Sequence, residues 1–331
     1  MSLRELTDHL RGLRGVKHKL DIQSVGALLT HTSDTISVPV GDDCAAIPEG
    51  DGHLLFAIEG LLDEFVAAEP WFAGYCAVMV NVSDVYAMGG RPIALVDAIW
   101  TAGADRAGPI WDGMTTAARK YGVTIAGGHT NSRASSDHLA AAILGRAGPR
   151  LLTSFDAKPA DVLLAAIDLR GEWFGPYAYW NASTTAEAAR LRADLEILPT
   201  LAEQGFCRAA KDISMGGIIG TATMLAECSG VGVTIDVAAI PAPRDVAREK
   251  WLACFPSYAF LLAVASENAA TVCKRFAERD IAAGVVGVFD SSNNIALTDQ
   301  TGSREIFWDL NAESFIGFGP GWTRQTMARK S

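Results

Sequence analysis

A long helical pattern opens at Pro70 and runs through Trp71, Tyr75, Val78, Val82, Val85 and Met88 to Gly89-Gly90. Proline suits the first helical position and glycine tolerates the positive φ that ends a helix, so both boundaries are written in the residues. The helix is otherwise apolar and needs cover on most sides, which points to a layered body rather than a surface helix. Polar residues interrupt it near its end, and two of them, Asn81 and Asp84, are three apart and therefore on one face. A carboxylate among Ala77, Val80, Val82, Val85 and Met88 is costly unless it is paired, hydrogen-bonded or on a metal. Its competing structural role is a loop cap or an ion pair with Arg91.

Carboxylates and glycines recur at intervals of about forty residues: Val40-Gly41-Asp42-Asp43-Cys44, then Asn81-Val82-Ser83-Asp84, then Gly127-Gly128-His129-Thr130, with no Walker-type loop. Mg²⁺ takes octahedral oxygen ligands, commonly one or two carboxylates plus the phosphates of a substrate. Asp42, Asp43 and Asp84 are therefore candidate metal ligands, and the chain reads first as a nucleotide-dependent enzyme. Taken alone, Gly41-Asp42-Asp43 is equally a surface turn.

At 331 residues the chain exceeds one typical domain, and its 49% apolar composition with 32 glycines fits a compact α/β protein. A net charge of -10 speaks against a general nucleic-acid surface. Six scattered cysteines form no Cys-x-x-Cys pair and no zinc pattern, which is the usage of a reduced, cytoplasmic protein. The basic and apolar residues 1–20 lack the core of a signal peptide, and no apolar run is long enough to span a membrane.

Leu3, Leu6, Leu10 and Leu13 predict a short amphipathic helix, followed by a basic turn in which Lys17 and Lys19 are candidates to reach a phosphate. Strands are expected at 54–58, 93–99, 123–126 and 138–146, with helices at 70–88 and 106–121, giving a βαβαββ domain. A boundary is expected at Gly148-Pro149, dividing an N-terminal domain 1–148 from a C-terminal domain 149–331. The second half predicts strands at 162–167, 231–236, 259–264, 284–289 and 294–297 and helices at 185–196, about 217–227 and 267–278. Its glycine turn, Asp212-Ile213-Ser214-Met215-Gly216-Gly217, could cap a helix or present backbone N–H groups to an anion. Glu172-Trp173-Phe174-Gly175-Pro176-Tyr177-Ala178-Tyr179-Trp180 reads as packing, or as the lining of an acceptor pocket.

Together these motifs resemble the superfamily of aminoimidazole ribonucleotide (AIR) synthase, thiamine-monophosphate kinase, selenophosphate synthetase and the hydrogenase-maturation carbamoyl dehydratase. The resemblance covers residues 36–300 and is nearest to the AIR synthase-related members. It implies a two-domain α/β (α+β) fold whose N-terminal domain pairs into a dimeric β-barrel, with ATP and Mg²⁺ as cofactors near a homodimer interface. It places Asp42, Asp43 and Asp84 on metal-binding aspartates, Asn81, Gly127, Gly128 and Thr130 on nucleotide-site positions, and Glu59 where the kinase carries an aspartate. Lys17, Lys19, Ser214, Gly216 and Gly217 join the nucleotide-contacting set, and Asp212 and His129 the catalytic one.

The departures narrow the activity. The kinase carries aspartate where His129 stands, and imidazole suits a phosphate oxygen better than Mg²⁺. Met215 replaces its second aspartate in the glycine turn. No N-terminal nucleophile loop and no C-terminal cysteine accompany the motifs in 323–331. The expectation is an ATP- and Mg²⁺-dependent enzyme that phosphorylates, or activates through phosphate, a small oxygen- or nitrogen-containing metabolite. The alternatives are thiamine-monophosphate kinase itself and a nucleotide-binding scaffold that no longer turns ATP over.

Overall fold

The computed structural model describes residues 1–26 and 36–320. The chain divides into two compact units, one made of 43–150 and 183–203, the other of 1–42, 151–182 and 204–331. The expected boundary at 148 lies close to one of these junctions. Two segments, however, pack with the half opposite to the one their sequence position suggests, and burial supplies the reason for the first. Helix α1 (Leu3–Gly12) is closed by a Ser2–Glu5 capping box and buries Leu3, Leu6 and Leu10 in the core of the second unit. Each such leucine contributes about 1.5–3 kcal/mol at most. After α2 (Arg14–Leu20) and α3 (Ile22–Gly26) the described chain resumes at residue 36.

In the first unit, β1 (Ala45–Glu49), β2 (Gly52–Gly60), α4 (Asp63–Ala68), α5 (Pro70–Ala87), β3 (Arg91–Trp100), α6 (Ala104–Tyr121), β4 (Thr124–Asn131) and β5 (His138–Ala147) build an open five-stranded sheet in the order β1-β2-β5-β3-β4. The expected βαβαββ pattern is present, with β1 and α4 added. All neighbours are antiparallel except β3 and β4, which are joined by the α6 crossover. Helix α5 begins with its proline, buries nearly its whole length and lies on the sheet, and Gly89 follows at φ 76°.

Leu55, Leu95, Ile99 and Ile143 face α5 and are fully buried. Phe56, Ile58 and Val96 project from the opposite face and stay 49%, 68% and 43% exposed. That face carries a row of large apolar side chains in contact with solvent.

Helices α7 (Ala188–Leu195) and α8 (Ile197–Gln204) complete this unit, where a single helix over 185–196 is expected. Arg91 fixes them, since its guanidinium pairs with Glu196 and, at 2.7 Å, with Glu203.

The second unit takes β6 (Val162–Ile167), β7 (Glu172–Trp173), β8 (Tyr179–Asn181), β9 (Ala209–Asp212), α9 (Gly217–Ser229), β10 (Gly232–Asp236), α10 (Arg248–Leu252), β11 (Phe255–Pro256), β12 (Ala259–Val264), α11 (Ala269–Ala277), β13 (Ala282–Asp290), β14 (Asn294–Thr298) and β15 (Arg304–Asp309). Seven strands run in the order β15-β14-β10-β13-β6-β12-β9, and β11-β8-β7 form a small separate sheet. The aromatic segment is that small sheet. Tyr177 stacks on Phe174 and Tyr179, Trp180 is buried edge-on against Trp251, and Lys250 lies 3.8 Å from the Trp173 ring centre. Glu227 of α9 is buried and accepts backbone N–H groups from Phe315, Ile316 and Gly317, tying the 315–317 segment to the core.

No disulfide joins the cysteines, and among the described residues no helix is long and apolar enough to cross a membrane.

Candidate functional site

The five-stranded unit brings Asp43, Glu59, Asn81, Asp84, Gly128 and Thr130 to the α5 side of its sheet. The turn carrying Asp43 precedes β1, and the adjacent Cys44 N–H donates to Met88 Sδ at 3.1 Å, which anchors the turn at the end of α5. Asp84 lies one helical turn before that end, 5% exposed. Asp43 and Asp84 each offer a carboxylate oxygen within 4.8 Å of the other. Two like charges that close repel in a partly desolvated setting, and a divalent cation relieves the repulsion. The donor set therefore fits Mg²⁺. The competing role of Asp84 as a partner of Arg91 is removed, because Arg91 is held by the two glutamates of α7–α8.

Strand register lines up a second group. Glu59 of β2 pairs with Ala141 of β5, Ala141 with Asp97 of β3, and Asp97 with Gly128 of β4, so the four form one row across the sheet. Paired residues share a face, and this row faces α5, as Leu55, Leu95 and Ile143 do. Above it Asn81 donates its amide hydrogens to Ala77 O at 2.8 Å and Ala141 O at 3.1 Å. Those two carbonyls fix the amide orientation, leaving Oδ1 buried with no hydrogen-bond partner. Thr130 shares the face of Gly128 through its pairing with Ile99.

His129 does not join this group. A register shift between Leu95 and Val96 pairs Val96 with Gly127 and Ala98 with His129, turning the imidazole to the open apolar face beside Trp100, with ring centres 5.7 Å apart. Gly127 also belongs to that side. His129, expected as a catalytic phosphate contact, thus lies within this unit on the sheet face opposite the α5 carboxylates.

Asp97 is the residue that sequence reasoning missed. It is 5% exposed, neither of its carboxylate oxygens has a hydrogen-bond partner, and burial pushes its pKa up to about 6. A Cβ on Gly128 would come within 2.4 Å of its Oδ2, so only glycine leaves room for the carboxylate. The signal was parity: Leu95, Asp97 and Ile99 alternate on the buried side of a strand, and an aspartate there is as anomalous as Asp84 on its helix.

In the seven-stranded unit, Asp42 spends both carboxylate oxygens on Ser154, accepting from its N–H at 2.8 Å and its hydroxyl at 2.7 Å. That engagement gives Asp42 an anchoring role the sequence did not suggest. Lys17 and Lys19 lie on helix α2 rather than in a turn, because Val16 is buried against the α9 side of the core. A Cβ on Gly216 would lie 3.6 Å from Lys19 Cγ, so the Lys19 stem passes beside the glycine turn. Asp212 closes β9 opposite Phe260, 6% exposed. Ser214 O accepts from Gly217 N–H, and Gly217 at φ 66° starts α9, whose N-cap Gly216 provides no side-chain cap.

Family models for AIR synthase related proteins match the chain at residues 41–147 for the N-terminal domain and 171–300 for the C-terminal domain. The chain belongs to the AIR synthase related family. It is 44% identical to the uncharacterized protein sll0787 of Synechocystis over 96% of this chain and 98% of that protein. It is 29% identical to thiamine-monophosphate kinase of Pyrococcus horikoshii, over 62% of this chain and 69% of the kinase. Among solved structures it is similar to T. maritima PurL complexed with ATP, with a TM-score of 0.71 and 17% identity. That likeness shows the fold and covers 94% of this chain, which spans about half (55%) of the PurL chain.

Proposed function

We propose that this AIR synthase related protein binds Mg²⁺-ATP and phosphorylates, or activates through phosphate, a small oxygen- or nitrogen-containing metabolite. The observation that carries the reading is the approach of the Asp43 and Asp84 carboxylates to within 4.8 Å at the end of an otherwise apolar helix. Support comes from the matching kinase of Pyrococcus horikoshii and from the ATP held by the similar PurL structure.

In this reading Asp43 and Asp84 hold the metal, with Glu59 as a further carboxylate. When bound, Mg²⁺ neutralises phosphate charge that builds up during transfer. Gly128 and Thr130 offer backbone and hydroxyl groups to the nucleotide. Lys17, Lys19, Ser214, Gly216 and Gly217 form a phosphate-binding element of the seven-stranded unit, combining cationic side chains with N–H groups at the start of α9. Asp212 is assigned to the acceptor as a proton-accepting carboxylate. A second copy of the chain covers the open apolar face of the five-stranded sheet, closing a barrel from two sheets, and His129 meets phosphate only in that homodimer.

Asp84→Asn keeps size and removes charge. Calorimetric titration with ATP, with and without Mg²⁺, should show a well-folded variant whose Mg²⁺-dependent affinity falls by about ten- to a hundredfold, the loss of one charge-assisted contact. Undiminished Mg²⁺-ATP affinity would sink the reading. Binding without turnover of any acceptor would leave the scaffold alternative standing.

A further inference from the structure

Asp97 and Asn81 present an unusual combination: acceptor atoms only, all buried, none satisfied. The two Asp97 oxygens and Asn81 Oδ1 have no hydrogen-bond partner, while the residues themselves are 5% and 0% exposed. Each stranded acceptor is costly, and a stranded carboxylate more so, and the fold bears a penalty that a bound donor would relieve. Ala141 relates the two groups, since its carbonyl accepts from Asn81 and its register partner is Asp97. Gly128, which is itself exposed, lies against the carboxylate with no side chain between, and so marks the way in from solvent.

We infer that Asp97 and the Asn81 amide oxygen form a binding site for a protonated amine or amidine, and that this group belongs to the acceptor substrate. The assignment to a substrate rests on the phosphotransfer reading above; the site itself does not. A metal ion is the weaker fit. Asp97 is not one of the two carboxylates that approach each other at the end of α5, and an amide oxygen with a single carboxylate is a sparse set for a divalent cation. A nitrogen cation needs only what is present: one negative charge to pair with, and acceptors for its hydrogens. The upward displacement of the Asp97 pKa agrees, because burial raises it with no positive group nearby to offset the effect.

The test uses methylammonium chloride as the probe, with tetramethylammonium chloride, equal in charge but without N–H, and sodium chloride as comparisons at matched concentration. The full chain should melt about 2–4 °C higher in methylammonium at tenfold its dissociation constant, with no such rise in the other two salts. Asp97→Asn should fold and lose the response. Equal responses to all three salts, a sodium response matching methylammonium, or an undiminished response in the variant would each overturn the inference. Mg²⁺-ATP titration of the same samples separates the two ideas. Nucleotide binding with no methylammonium response defeats this inference alone, and the reverse pattern defeats the nucleotide reading alone.

Discussion

Asp97 makes a single residue responsible for part of the pH dependence of folding. Its carboxyl is raised from an ordinary 3.8 to about 6 by burial, so the folded chain holds that proton more tightly than the unfolded chain. The contribution to stability is therefore greatest below pH 3.8, declines as pH rises towards 6, and stays low above it. Asp97→Asn has no charge to bury. Its stability advantage over the wild type should grow across that window to on the order of 2 kcal/mol at neutral pH. Urea denaturation at pH 5 and pH 8 measures both gaps, and equal gaps would show that Asp97 is relieved by something else. The contrast with Asp84 shows what the residues alone disclose. Asp84 was legible because it breaks an apolar helix beside a recognisable motif. Asp97 sits in a strand, where one polar residue passes for ordinary alternation until pairing reveals which face it occupies.

At the level of elements, long and strongly patterned segments could be read directly: α5, α6, β5, β6, β12 and α9 lie close to where their apolar periodicity predicts. The edges could not. Strands β1 and β15 flank their sheets and carry Pro48, Glu49, Arg304 and Glu305, the charges and proline that blunt an edge and also blur its signal. The short helix α2 was hidden for another reason, as its conformation depends on contact with a loop two hundred residues away. A Cβ on Gly15 would lie 1.8 Å from Met215 O, so the first turn of α2 rests directly on the glycine turn ahead of α9. Gly15→Ala should push α2 away, lower the urea midpoint by an amount equivalent to about 1–3 kcal/mol, and weaken Mg²⁺-ATP binding through Lys19. A variant with wild-type midpoint and affinity would show that α2 has no part in positioning that lysine.

For the whole molecule, the exposed row of Phe56, Ile58 and Val96 is the feature that a second copy would cover. Phe56→Glu with Ile58→Glu should convert a dimer to a monomer by light scattering while leaving the far-ultraviolet dichroism intact, because neither side chain faces α5. A monomeric wild type at assay concentration would remove the barrel reading. The interleaved path of the chain has a different kind of consequence, one for its synthesis. Helix α1 leaves the ribosome long before β15, yet Arg11 donates to the carbonyls of Ile306 and Phe307 on β15, 295 and 296 residues further along. At translation rates of about 5–20 residues per second, that partner appears roughly 15–60 s later. Through that interval an amphipathic helix with three leucines to bury lacks much of its native cover, which makes the nascent chain a natural client for a chaperone that shields early apolar segments.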